Sequence, residues 1–182
     1  MNKPTKPNHV IVIDFETYWA DDYTLTDMPV AEYVYDGQFE VLGVGVKLDH
    51  DAPWWYPYEI AHVFSRLPWE DATVVAHNAQ FDGFILEHVY DIHPARYFCT
   101  SLAARPIVAP FMGGTTLAQV TEFFKLGKKG DEVMRTKNKK RRDFTDADMA
   151  ALGEYCLNDV RLTHMAYHLL SAWYEQNNRN VT

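Results

Sequence analysis

The apolar and polar positions of this chain divide it into alternating strands and helices. Residues 10–13 are unbroken valine and isoleucine, Phe15 follows, and the run ends among acids, which reads as a buried strand reaching an edge of its sheet. Further strands are expected at 39–48, rich in Val and Leu with two glycines, and at 54–58, 72–76 and 96–99. Helical spacing predicts a short helix over 28–35 with Asp27 as its cap, and another over 60–67. Phe81, Ile85 and Val89 fall at i, i+4 and i+8 and mark one face of a third helix. Helices follow at 101–107 and 117–124, then a polar, lysine-rich loop over 127–143. Thr145 can cap the last helix, Asp146 and Asp148 suit the positive end of its dipole, and apolar residues recur through Leu170. This order predicts an α/β fold with helices covering a sheet.

Size and charge narrow the picture. The chain has 182 residues, 47% apolar and 23% charged. A chain of that length buries roughly 70% of its unfolded surface and needs no metal or disulfide to fold. One domain is expected over 1–182, with a core of about 9–172. No apolar run approaches the ~20 residues of a membrane span, and the start, with its Lys and Pro, does not read as a secretory signal. Two distant cysteines, Cys99 and Cys156, suit core positions in a reducing compartment, so a cytoplasmic location is expected. The net charge is −8, but residues 121–142 carry +6 and the remainder −14. A basic segment on an acidic body can guide a polyanion while the body binds cations, or it can simply be a solvated loop.

Carboxylates then stand out in three places. Asp14 and Glu16 point to one face of the first strand, about 6–7 Å apart, and repel unless a cation or proton lies between them. Asp82 falls in the first turn of the helix after a short apolar strand, and Asn78, four residues earlier, can cap that helix or reach a ligand. Tyr155 and Asp159 share a face of the last helix. Asp159 lies at its core-facing stripe, where a carboxylate needs a partner, and a Lys or Arg would serve as well as a metal.

Asp-x-Glu ending the first strand, Asn-x-x-x-Asp opening a middle helix and Tyr-x-x-x-Asp in a late helix together resemble the DEDD (DnaQ-like) exonucleases. The tyrosine matches the branch in which Tyr replaces His. Within it, the sequence is most similar to the proofreading 3′–5′ exonuclease domain of bacteriophage-type family A DNA polymerases, over roughly 10–170. The resemblance implies a ribonuclease H-like fold, a mixed five-stranded sheet flanked by helices. It also implies two divalent ions, Mg²⁺ or Mn²⁺, held by Asp14, Glu16, Asp82 and Asp159. Asp14 would bridge them, Glu16 and Asp159 would complete the nucleophile side, Asp82 would support the other ion, and Tyr155 would orient the attacking water. An all-acid ligand set suits these hard ions. Thr17 and Asn78 are expected near the 3′ end, and Phe15 or Tyr18 against a sugar or base. Lys137, Lys139, Lys140, Arg141 and Arg142 are placed to contact strand phosphates.

The implied activity is release of 5′-mononucleotides from the 3′ end of single-stranded DNA. The setting would be DNA replication, with a separate DNA polymerase or replication protein as partner, in the host cytoplasm for a bacteriophage source. The alternatives are an exoribonuclease and a non-catalytic nucleic-acid-binding module of the same fold. His164 and His168, four apart, lack the Glu of a metalloprotease motif and are expected as surface residues. Trp54, Trp55, Tyr56 and Tyr58 are expected to cover the sheet edge.

Overall fold

The computed structural model describes residues 7–130 and 136–178. Outside the described residues lie 1–6 of the Lys- and Pro-bearing start, 131–135 of the expected polar loop, and 179–182. Five strands form one mixed sheet: β1 (His9–Thr17), β2 (Val41–Leu48), β3 (Trp54–Tyr56), β4 (Ala72–Ala76) and β5 (Arg96–Cys99). Their order is β3-β2-β1-β4-β5. β1 pairs antiparallel with β2 and parallel with β4; β3 extends the antiparallel side and β5 the parallel side. The helices are α1 (Val30–Tyr35), α2 (Ile60–Phe64), α3 (Ala79–His88), α4 (Thr100–Met112), α5 (Leu117–Phe124) and α6 (Asp146–Asn178). No helix among the described residues is long and apolar enough to cross a membrane.

The two-residue period of β1 sorts the core. Ile11, Ile13 and Phe15 pack with Phe64 of α2 and with Ile85 and Leu86 of α3. Val12 faces the other way, against Val75 of β4 and Val160 and Tyr167 of α6. Asp14 and Glu16, in phase with Val12, therefore lie on the α6 side. Close approach of α6 depends on glycine. A Cβ at Gly45, which pairs with Asp14, would stand 2.7 Å from Cys156 Sγ and 2.8 Å from Val160 Cγ2. The Trp55 indole fills the space above Gly43 and beside Gly153, so β2, β3 and α6 lock together there.

Several elements differ from the sequence expectation for local reasons. α1 starts at Val30, with Pro29 and not Asp27 at its N-cap, because the residue before a proline is pushed out of helical conformation. β3 stops before Pro57, and α2 ends before Leu67-Pro68. α4 runs beyond 107 to Met112, through Pro106 and Pro110, with Ala104 and Val108 fully buried on its inner face. Helix α6 starts on a Thr145 cap that accepts from the Asp148 amide at 3.1 Å. It continues past Leu170 to Asn178, 33 residues and about 50 Å in all.

Candidate active site

Three elements bring the predicted acids together at one end of the sheet. β1 supplies Asp14 and Glu16, the first turn of α3 supplies Asp82, and α6 supplies Tyr155 and Asp159. Glu16, Asp82, Tyr155 and Asp159 are all buried. Asp82 Oδ1 accepts the Phe15 amide at 3.0 Å, which ties α3 to the strand between the two acids. The turn before α3 is fixed by Asn78 in left-handed backbone, φ 74°, with no side-chain cap bond, so its amide is not used as the expected cap. Non-glycine residues hold that conformation rarely, and often at functional sites. His77 beside it is a strut. Its ring nitrogens bond Thr100 Oγ1 and the Thr115 carbonyl, each at 2.9 Å, and burial pulls it down to about 4, so it is neutral near pH 7.

The electrostatics are those of acids buried close to one another. Burial first, then the charge of Asp159, raises Asp14 to about 7. Glu16 and Asp82 are pushed well above the usual carboxylate range, by burial first and then by Asp14. The Tyr155 phenol is raised further by burial and by the Asp159, Glu16 and Asp14 charges, so it stays protonated. The positive charge among them belongs to Lys129, which was not singled out in the sequence. Its ammonium ion-pairs with Asp159 and donates to the Tyr155 hydroxyl at 2.6 Å. The loop is set by Asn158, whose amide donates to the Lys128 carbonyl at 3.1 Å. The partner that Asp159 required is thus a lysine from a loop thirty residues earlier; local pattern gave only the requirement.

Asp14, Glu16 and Cys156 each present a ligand-type atom within 4.8 Å of the other two. The Cys156 thiol donates toward the Asp14 carboxylate at 3.6 Å and is itself pushed well up by burial. It is therefore an uncharged donor, and its place against Asp14 goes beyond the core position expected of it. Four mutually repelling carboxylates fit a hard divalent cation such as Mg²⁺ or Mn²⁺.

The expected nucleic-acid contacts are placed unevenly. Phe15 points to the opposite face from Asp14, into the core, stacked 5.8 Å from Tyr90, and so is not positioned against a sugar or base. Thr17 Oγ1 bonds Tyr33 Oη at 2.9 Å. Tyr18 lies under the Lys140 ammonium, 3.9 Å from its ring centre. Lys137 pairs with Asp21 above the Trp19 ring, and Lys139 lies over Phe144. Lys140 donates to the Gln38 carbonyl. The Arg141 guanidinium donates to the carbonyls of Pro57, Val41 (2.7 Å) and Leu42 (2.6 Å). Only Arg142 of this group is largely exposed, at 85%. Arg141 is a strap that fastens the segment to the start of β2 and the end of β3, while the lysines are held by the loops beside it.

The fold defines a class: a ribonuclease H-like mixed five-stranded sheet flanked by helices, shared with several solved structures. NrnC from Brucella melitensis superposes over 93% of this chain and 76% of its own, with TM-score 0.65 and 17% identity. It has also been solved with bound Mg²⁺ and bound to pGG. RNase D from Trypanosoma brucei superposes over 88% of this chain and 57% of its own, with TM-score 0.65 and 15% identity, and has been solved with RNA U12. The catalytic core of RRP6 from the same organism covers 93% of this chain and 42% of its own, with TM-score 0.63 and 15% identity. No protein-family model and no curated protein matches the sequence.

Proposed function

We propose that this chain is a metal-dependent 3′–5′ exonuclease that removes 5′-mononucleotides from single-stranded nucleic acid, with DNA as the substrate. The observation that carries the reading is the convergence of Asp14, Glu16, Asp82 and Asp159 beside Tyr155, with the Lys129 ammonium against Asp159. Two divalent ions, when bound, supply an activated water and stabilise the leaving oxygen. Asp14, Glu16 and Asp159 would hold the ion on the nucleophile side and Asp82 would support the other. The Tyr155 hydroxyl, kept protonated, orients water by hydrogen bonding and does not act as a base. Lys129 has three donors, so it can keep Tyr155 and turn another to a phosphate oxygen. A cleft of about 470 Å³ is lined by Lys129, Tyr155 and Asn158.

RNA is the second reading, favoured by the likeness to RNase D, which has been solved with RNA U12. A partner polymerase and a role in proofreading rest on the sequence resemblance alone. The test is a time course on 5′-labelled single-stranded DNA and matched RNA, with Mg²⁺, Mn²⁺ or EDTA, beside Asp14→Ala. A metal-dependent ladder shortening from the 3′ end and absent in the variant is expected, and the faster substrate names the nucleic acid. Metal-independent cleavage, or an active Asp14→Ala, refutes the mechanism.

A further inference from the structure

At the opposite end of the sheet, one to two turns further along α6 than Asp159, lies a second set of metal-ligand side chains. His164 and His168 stand one helical turn apart, and their Nε2 atoms share a 3.0 Å hydrogen bond, which an ion would replace, with the rings nearly perpendicular. Metal–nitrogen bonds of about 2.0–2.1 Å at a tetrahedral angle put two ligating nitrogens about 3.3 Å apart. The pair is within a few tenths of an ångström of that spacing. Both rings face a cavity of about 340 Å³ lined also by Asn8, Val10, Asp49 and His50. Asp49 is already occupied, accepting from His9 Nδ1 at 2.7 Å and from the Val10 amide at 2.8 Å. His50, on the β2–β3 turn, is the remaining imidazole at the cavity.

We propose that His164 and His168, with His50 swinging in from beyond ligand spacing as third ligand and water as fourth, form a site for a borderline transition-metal ion of the Zn²⁺ class, separate from the carboxylate centre. Imidazole ligands select such ions, whereas the acids at the other end suit Mg²⁺ or Mn²⁺. Burial first, then the neighbouring Lys47, holds His164 down to about 4 and lowers His168 in the same direction, so both rings are neutral near pH 7, the form that binds metal. Lys47 donates to the Asp51 carbonyl at 2.5 Å and its charge opposes a dication, so the affinity is that of a modest site. An ion there ties α6, which carries Tyr155 and Asp159, to the β2–β3 turn.

The test is a Zn²⁺ titration of the full chain against a chromophoric chelator, in millimolar Mg²⁺ to fill the carboxylate centre. One Zn²⁺ per chain is expected. His164→Gln and His168→Gln each weaken it by about tenfold or more, and His50→Gln weakens it as well. Zn²⁺ should also raise the melting temperature of the wild type and not of a His164→Gln/His168→Gln variant. Melting in EDTA reports whether each variant is folded. Zn²⁺ affinity unchanged in the folded double variant, or no Zn²⁺ bound by the wild type, overturns the site.

Discussion

The acids and the bases of this chain are used in opposite ways. Asp14, Glu16, Asp82 and Asp159 are gathered at one end of the sheet, where among the described residues the Lys129 ammonium pairs with Asp159 and the burial of the others raises their affinity for a proton or a cation. The bases of 137–141 are far denser in sequence than those acids, yet carbonyls, one carboxylate and aromatic rings occupy them. Charge density along a sequence therefore says little about availability. What decides is whether the surrounding backbone has already satisfied the group.

The sharpest way to break this comparison is Asp14→Ala, already described. It should lower exonuclease activity by about a thousandfold or more, roughly 4 kcal/mol of barrier, while melting stays cooperative. On the basic side the expected effect is on stability. Arg141→Ala leaves the carbonyls of Pro57, Val41 and Leu42 without that donor, and should cost about 2–4 kcal/mol in urea unfolding. Arg142→Ala, on an exposed side chain, should stay within about 0.5 kcal/mol in the same experiment. Equal stability of the two variants would mean that Arg141 is not the strap described.

Lys129→Met removes the ammonium from among the acids and probes their affinity for cations directly. Two cations cannot share Asp159 without repulsion, so this variant should bind Mg²⁺ about tenfold more tightly, roughly 1.4 kcal/mol. Its turnover should nevertheless fall, because the donor to Tyr155 and to phosphate is gone. Calorimetric titration and single-turnover kinetics separate the two. Weaker Mg²⁺ binding would show that Lys129 organises the acids and does not compete for them.

What the sequence made legible was whatever depends on short-range periodicity. The two-residue period of a strand put Asp14 and Glu16 on one face, the helical turn put Tyr155 beside Asp159, and the order of apolar runs predicted every strand of the sheet. The same strand period also turns Phe15 away from the acids. Lys129 and Arg141 were not legible, because their partners lie 26 to 100 residues away and a lysine-rich loop has no period to read. The length of α4 was hidden too: proline reads locally as a stop, while Val108, packed with Ala166 and Leu170 of α6, helps hold the helix past Pro106.

The smallest effect tests whether burial raises the acids' affinity for a proton in the metal-free protein. Asp14 sits at about 7 against an ordinary 3.8, so between those values the folded chain binds a proton that the unfolded chain has released. That contribution to stability is complete below about pH 4 and is lost as pH rises through 7. His77 and His164 work the other way: each is drawn down to about 4, so each adds stability above its unfolded value and loses it as pH falls toward 4. The two trends blunt each other in a raw melting curve. The informative quantity is the difference between wild type and Asp14→Asn in EDTA, since the histidines are common to both. Asp14→Asn should gain relative stability, by a few degrees in melting temperature, as pH rises from 4 to 7. Mg²⁺ should close the gap by stabilising only the wild-type carboxylate. A difference that stays flat with pH would mean that Lys129 already neutralises the cluster, and that its acids have no raised affinity for a proton or a cation.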